Sequence, residues 1–284
     1  MAEVGIVTDS TCCMPPELIK EYGIRVVPYH LTIEGQDYLD QIDITPPEFW
    51  KKFEHFKELP TTGVPSPGHF AKTFTEFAES VNSIVCIHVS NVLSAVVNSA
   101  EVAKSEVLEK YPHLKIEFID SKTSVGALGF VVLEAARAAM EGKNLEEIIR
   151  IANDMVSRVK YVAAFDTLKY LIRSGRAPKT AIIGEVLGVK PIIGLVNDTG
   201  LVQNLGKERG KQKAFSKLVD FVKEYTDVNK PLHIMVHYTN SVEDGETLKQ
   251  IVISRYQCEE FYMTDLTPVM TAHTGPMVGL SFYS

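Results

Sequence analysis

The chain has 284 residues and a formal net charge of −7. Hydrophobic residues make up 45% and charged residues 23%, which is ordinary for a globular protein long enough to form two compact domains. The acidic balance argues against nucleic acid as the main partner, and no apolar run approaches the roughly 20 residues of a membrane helix.

The start of the chain and its cysteines favour a cytoplasmic location. MAEVGIVTDST has no basic region ahead of its apolar segment, so no signal peptide is predicted. Cys12, Cys13, Cys86 and Cys258 form no CxxC pair and have no zinc-type spacing with histidine. We therefore expect reduced, mostly buried thiols and no metal site.

The first 160 residues alternate between strand and helix patterns. Short apolar runs predict strands at residues 4–7, 24–33, 83–89 and 115–120. Start signals predict helices that begin near residues 15, 45, 66, 90, 124 and 144. Thr45 with Glu48, and Asn144 with Glu147, have the spacing of capping boxes. This alternation is typical of a parallel sheet with crossover helices.

After about residue 160 the pattern changes. Strands are predicted at residues 161–165, 232–238, 259–266 and 275–284, and a hairpin at 190–210 that turns at Asn197-Asp198-Thr199-Gly200. Helices are predicted at residues 167–176, 211–225 and 241–256. We therefore predict a two-domain α/β protein. Residues 1–160 form a Rossmann-like parallel sheet with helices on both faces, and residues 161–284 form an α+β domain with a mixed sheet.

Common catalytic and nucleotide-binding motifs are absent from the sequence. It contains no GxGxxG after a strand, no P-loop, no HExxH, no calcium-binding loop and no GxSxG elbow. Gly184 and Gly188 in IIGEVLGVKP are therefore interpreted as packing or turn glycines. The sequence predicts no cofactor.

Three polar segments beside apolar sequence remain as candidates for a site. They contain Thr62 in LPTTGVPSPGHF, Ser94 in HVSNVLSAVVNSA and His273 in TAHTG. In the second segment a buried strand meets a helix, where free N–H groups and the helix dipole favour an anion. A structural alternative applies to each, because serines commonly cap helices and a lone histidine near apolar sequence is usually a packed residue.

Seven segments together resemble one family. VTDSTCCMP, TGVPSPGHF, SNVLSAVVNSA, YLIRSGRAP, KPII, GKERGKQKA and TAHTGPMVG occur in the order and spacing of the DegV family, over essentially the whole chain. The resemblance implies two α/β domains with a long-chain fatty acid bound between them. It also implies a non-enzymatic carrier, which holds the acid while the catalytic subunit of a fatty-acid kinase forms an acyl phosphate.

The resemblance further implies which residues hold the fatty-acid carboxylate. The family's carboxylate-binding threonine falls on Thr62, its serine on Ser94 and its histidine on His273. A family arginine ahead of a long helix falls on Arg209, with a less defined role in the same site.

Neighbouring positions depart from the family pattern. Gly63-Val64 stands in place of Ser-Gln, Ala95-Val96 in place of Gly-Thr, and Met277 in place of a glycine. Fewer polar groups then surround the carboxylate, and the preferred chain length and unsaturation stay open.

Other functions remain open from the residues alone. A lipid esterase or thioesterase would use Ser94 as nucleophile and His273 as base, with an acid such as Asp9. An interaction module with a structural lipid, or with none, would need no reactive group. Basic residues are candidates for a kinase contact, with a solvated surface as the equal alternative, namely Arg173, Arg176, Lys179, Lys207 and Arg209.

Overall fold

The computed structural model describes residues 3–53, 55–177, 187–196 and 199–284. Three of the sequence interpretations fall outside these ranges: the kinase contact at Lys179, the packing role of Gly184, and the Asn197-Asp198 part of the hairpin turn.

The N-terminal half is built on a parallel sheet. Its strands are β1 (Val4–Asp9), β2 (Arg25–Val27), β3 (His30–Ile33), β4 (Gln36–Leu39), β5 (Thr61–Gly63), β6 (Ser83–His88) and β7 (Lys115–Asp120). Its helices are α1 (Pro16–Glu21), α2 (Pro46–Phe53), α3 (Pro67–Ala78), α4 (Val96–Lys110), α5 (Val125–Met140) and α6 (Leu145–Arg158). Four of the strands pair in parallel in the order β2-β1-β6-β7, which confirms the predicted sheet.

Side-chain hydrogen bonds form at both of the predicted capping boxes. Asn144 Oδ1 accepts from the amide of Glu147 at 3.0 Å, and Glu147 Oε2 accepts from the amide of Asn144 at 3.1 Å. Glu48 Oε2 accepts from both the amide and the hydroxyl of Thr45, at 2.9 and 2.7 Å. These bonds satisfy donors that the first turn of a helix would otherwise leave free.

The apolar run at residues 24–33 forms two strands in different sheets. Pro28 lies between them and has no N–H to donate, so the pairing is interrupted there. The first part is β2 of the parallel sheet, and the second is β3 at the centre of a separate antiparallel sheet with the order β4-β3-β5. This small sheet, which carries Thr62 in β5, was not predicted.

The C-terminal half forms a mixed sheet. Its strands are β8 (Lys160–Phe165), β9 (Val189–Leu195), β10 (Gln203–Arg209), β11 (His233–Tyr238), β12 (Glu260–Asp265) and β13 (Met277–Tyr283). Its helices are α7 (Lys169–Arg173), α8 (Lys211–Tyr225), α9 (Val242–Arg255) and α10 (Pro268–Thr274). The strand order is β10-β9-β8-β13-β11-β12, and β11 and β12 are parallel while the other neighbours are antiparallel. This arrangement confirms the mixed sheet and the hairpin.

Two helix predictions need correction. The helix predicted to begin at residue 90 begins at Val96, so Ser94 lies in the turn ahead of α4. Helix α10 was missed, although Thr267 caps it and Pro268 is its first residue. Seven residues are too few for a helical hydrophobic period to be recognised in the sequence.

Helix α5 joins the two halves. It contacts β1 and β6 of the parallel sheet as well as β8 and β13 of the mixed sheet. Nearly all of its residues are buried, which explains why its sequence is apolar on every side. The opposite face of the mixed sheet packs against α8 and α9 in a separate apolar cluster. The apolar interface at α5 therefore fixes the two halves against each other.

No helix within the described ranges combines the length and the apolar character that crossing a membrane requires.

Candidate functional site

A cavity lies where the two halves of the chain meet. It lies beyond the carboxyl ends of β1 and β6, at the point where open α/β sheets commonly bind ligands. Its wall is mostly apolar and draws on both halves, with Val89, Leu93, Val125, Phe165, Leu171, Ile193, Leu195, Val202, Val269 and Met270. Such a wall suits an apolar ligand.

Two hydrogen-bonded pairs of side chains lie at this cavity. Thr62 Oγ1 and His273 Nε2 share a hydrogen bond of 3.0 Å, although the residues are 211 positions apart in the chain. The Tyr29 hydroxyl and Ser94 Oγ share another, at 2.7 Å. His273, Ser94 and Tyr29 line the cavity itself. Thr62 does not line this cavity but bonds with His273, which does. Tyr29 is a partner of Ser94 that the sequence did not reveal.

His273 is held as a neutral imidazole. It lies in the last turn of α10, a helix that packs against β3, β5 and α7. Burial, and to a lesser extent the positive charge of Arg176, lowers the pKa of His273 to about 3. At neutral pH the ring therefore offers a hydrogen bond and no net charge.

Ser94 lies two residues before α4 begins. Its amide donates to the carbonyl of Ser90 at 3.1 Å, which shapes the turn between β6 and the helix. Ala95, at the N-cap position, has no side-chain acceptor for the first turn of α4. The positive end of the helix dipole therefore lies beside the Ser94 hydroxyl without a side-chain cap.

Arg176 is the cationic side chain of the cavity wall. Its Nε donates to the carbonyl of Leu93 at 3.3 Å, and its Nη1 donates to the carbonyl of Ser174 at 2.7 Å. Within the described residues it forms no salt bridge with a carboxylate. Burial lowers the pKa of Arg176, so its charge lies in a partly desolvated position where an anion would be favoured. From the sequence, Arg176 was a candidate only for a surface contact with a kinase.

A second cavity adjoins the first and shares Arg176 and His273 with it. Its other lining residues include Thr62, Tyr170 and the exposed residues Thr61 and Arg173. Arg173 is held by a bond from Nη2 to the carbonyl of Leu59 at 2.9 Å. The polar end of the apolar cavity is therefore next to a surface depression with basic residues.

Arg209 does not join the other predicted site residues. It is the exposed last residue of β10 and lies outside the lining of both cavities. The family motif places Arg209 just before α8 in the sequence. It does not indicate which way the end of β10 faces, so the sequence could not show that Arg209 lies away from the cavities.

The arrangement expected for an esterase is not present among the described residues. Ser94 bonds with Tyr29, and His273 bonds with Thr62, so the two are not paired as nucleophile and base. Asp9 accepts from Thr11 and from the amide of Val89.

The described residues contain no group of three or more histidine, cysteine or acidic side chains able to hold a metal ion. Cys12, Cys13 and Cys86 are buried, and Cys258 is partly buried, each as a free thiol. Burial raises the pKa of each of these thiols, so none is activated as a nucleophile.

Residues 3–284 match the family model described as "Uncharacterised protein, DegV family". The chain belongs to the DegV family. A DegV domain-containing protein of Caldanaerobacter subterraneus subsp. tengcongensis is 33% identical over 277 residues, which cover 97% of this chain and 96% of that protein.

Solved structures of DegV proteins share the whole fold. A structure described as fatty acid binding of a DegV family protein from Thermus thermophilus has a TM-score of 0.90 at 30% identity and covers 100% of both chains. A stearic acid-binding protein from Eubacterium ventriosum has a TM-score of 0.89 at 28% identity, covering 100% of this chain and 98% of the other. Both confirm the two-domain α/β fold of this DegV member.

Proposed function

We propose that this DegV protein binds a long-chain fatty acid between an N-terminal domain, residues 1–160, and a C-terminal domain, residues 161–284. The acyl chain lies in the apolar cavity, and the carboxylate lies at Thr62, Ser94 and His273. The observation that carries the proposal is the pair of hydrogen-bonded polar contacts at one apolar cavity. The relatives described as fatty-acid and stearic acid-binding proteins support the same ligand class.

The acyl chain would supply most of the affinity. Each buried methylene contributes roughly 0.8 kcal/mol, so a 16-carbon chain offers on the order of 12 kcal/mol before the entropy of ordering is subtracted. The carboxylate must also be stabilised, because its desolvation without partners costs several kcal/mol.

The head-group site is suited to an anion that must later react. Hydroxyl and imidazole groups bind the carboxylate with hydrogen bonds, while Arg176 and the first turn of α4 add positive potential. A tight ion pair would lower the reactivity of the carboxylate, whereas these neutral donors leave it nucleophilic. Arg209 has no part in this proposed head-group site.

We further propose that the carrier presents the acid to a fatty-acid kinase subunit in the cytoplasm. The phosphoryl group would enter through the second cavity, where Arg173 and Arg176 provide cationic side chains next to His273. The chain itself would act as the non-catalytic carrier. The free thiols are compatible with a reducing compartment.

Lipid extraction and mass spectrometry of the recombinant protein should detect a co-purified fatty acid. Ser94→Ala and His273→Ala should each weaken palmitate binding about tenfold, because each leaves a buried partner or the carboxylate with one bond fewer. Ser105→Ala on the exposed face of α4 and His113→Ala are matched controls that should bind normally. Protein that contains no lipid and rejects labelled palmitate would refute the proposal.

The kinase step has its own test. Arg173→Glu should leave palmitate binding intact while reducing acyl phosphate formation by a cognate kinase subunit, because it reverses a charge at the surface opening. Lys115→Glu, at the exposed start of β7, is the control. Equal rates for both variants would remove Arg173 from the phosphoryl route.

A further inference from the structure

We propose that Asp40 is a positioning residue for the head-group site, because it holds the first turn of the helix that carries His273. This inference rests on the proposed function, since the site concerned is the one that binds the fatty-acid carboxylate. Asp40 itself does not line the cavity.

The contact that carries the inference is between Asp40 and α10. Asp40 directly follows β4 and is 1% exposed. Its Oδ1 accepts a hydrogen bond from the amide of Val269, the second residue of α10, at 3.1 Å. The helix's own cap is weaker, because Thr267 Oγ1 and the amide of Met270 are 3.5 Å apart. The carboxyl of Asp40 is therefore the closer acceptor at this helix end.

One small sheet holds both ends of α10. Asp40 follows β4 and contacts the first turn, whereas Thr62 in β5 contacts His273 in the last turn. Strand β3 lies between β4 and β5 and pairs with both, so the two anchors are fixed relative to each other. The amide of Asp40 also donates to the carbonyl of Tyr29 at 2.9 Å, and Tyr29 bonds with Ser94. Asp40 thus connects both polar pairs of the site.

The geometry of a short helix makes this anchor effective. Val269 and His273 are four residues apart, which corresponds to about 6 Å along the helix axis. A displacement of about 1 Å at the first turn would pass to the last turn, because a single helical turn moves as a rigid unit. The 3.0 Å bond between His273 and Thr62 would then exceed hydrogen-bonding distance.

Stability alone does not account for a carboxyl at this position. Burial raises the pKa of Asp40 to about 7, which shows how strongly its surroundings disfavour the charged form. An apolar side chain would avoid that desolvation but could not accept from the Val269 amide. The carboxyl therefore accepts from the Val269 amide although burial disfavours its charge, as expected of a residue that sets the position of a functional group.

The test compares variants by palmitate titration, with urea unfolding as a separate measure of stability. Asp40→Asn keeps an oxygen acceptor and should bind palmitate within about threefold of wild type. Asp40→Ala and Asp40→Glu should each weaken palmitate binding about tenfold. Asp40→Ala removes the acceptor for the Val269 amide, and Asp40→Glu places that acceptor on a longer side chain. Asp43→Ala is the matched control, since Asp43 is exposed and accepts from the amide of Leu39 in the same turn.

A double-mutant cycle separates positioning from a purely structural role. If Asp40 acts through His273, then Asp40→Ala should cause little further loss of binding in a His273→Ala background. Undiminished loss in that background, or normal binding by Asp40→Ala, would overturn the inference. If the alanine variant does not fold, Asp40→Asn and Asp40→Glu decide, and equal affinities for these two would be the refuting result.

Failure of the positioning role of Asp40 can be told apart from failure of the proposed fatty-acid binding. Wild-type protein that binds no palmitate would refute fatty-acid binding. The ring ¹⁵N resonances of His273 in ligand-free protein would still report on Asp40. They should change in Asp40→Ala and remain near wild type in Asp40→Asn, and an unchanged spectrum in Asp40→Ala would refute the positioning role.

Discussion

Replacing Gly275 with alanine should damage the fold and the head-group site together. Gly275 directly follows α10 and has φ 62° and ψ −156°, a backbone conformation that is almost restricted to glycine. A Cβ atom there would lie 2.2 Å from the Tyr170 ring. His273 is two residues away. Any backbone shift that relieves the clash with Tyr170 therefore also displaces the last turn of α10, which carries His273.

The magnitude follows from two separate terms. The backbone conformation costs about 1–3 kcal/mol for a residue with a side chain, and the clash with a packed ring adds about 1–3 kcal/mol. We therefore expect Gly275→Ala to lower the free energy of unfolding by about 2–6 kcal/mol. Palmitate binding should weaken as well, because His273 no longer meets Thr62 at the same distance.

Urea unfolding of Gly275→Ala and Gly142→Ala separates these terms. Gly142 also has a positive φ, at +78°, but an added Cβ would meet nothing within 4 Å, so Gly142→Ala measures the cost of a positive φ without a clash. Removing the ring with Tyr170→Ala should reduce the effect of Gly275→Ala towards that of Gly142→Ala. The reasoning is refuted if Gly275→Ala costs no more than Gly142→Ala, or if the loss is unchanged without the Tyr170 ring.

Two further predictions concern pH and the apolar cavity. The pKa of Asp40 is raised from 3.8 to about 7 in the folded protein, so folding keeps its proton while the unfolded chain ionises. Relative to Asp40→Asn, the wild type should lose about 4 kcal/mol of stability as pH rises from about 4 to 7, and the loss should level off by about pH 8. A pH-independent difference in urea unfolding would contradict this. Val202→Trp should fill the cavity and weaken palmitate binding at least about tenfold, with little change in the free energy of unfolding. Val102→Trp, on the exposed surface of α4, should bind palmitate normally. Equal affinities for the two variants would place the acyl chain elsewhere.

The main elements of the fold were predictable because their patterns are local. Alternating strands and helices before residue 160 indicated the parallel sheet, and caps such as Asn144 with Glu147 fixed helix starts. The small sheet β4-β3-β5 was missed because its strands are short and only partly apolar. Helix α10 was missed for a related reason, since its start signal at Thr267 was not followed by a long hydrophobic period.

The residues of the site were predictable only in part. The resemblance to the DegV family indicated Thr62, Ser94 and His273. Ser94 and His273 line the apolar cavity, and Thr62 lines the adjoining one and bonds with His273. It could not indicate how they pair, because the partners are 65 positions apart for Tyr29 with Ser94 and 211 for Thr62 with His273. Such contacts depend on how the sheets pack, which no local pattern in the sequence encodes.

The packing of the sheets also decides which side chains at the site are charged and which are neutral. A histidine aligned with a family motif is easily taken for the cation that meets a carboxylate, yet burial and Arg176 keep His273 neutral. Arg176 is only partly buried and has carbonyl partners, so it retains positive charge near the head group without a competing carboxylate in the described structure. The carboxylate would therefore be oriented by neutral hydrogen bonds and attracted by a cation at the edge of the site. His273 does not change charge between pH 6 and 8, since its pKa is about 3. A change in palmitate affinity over that range would therefore point to Asp40, which has a pKa of about 7 and bonds to the first turn of α10.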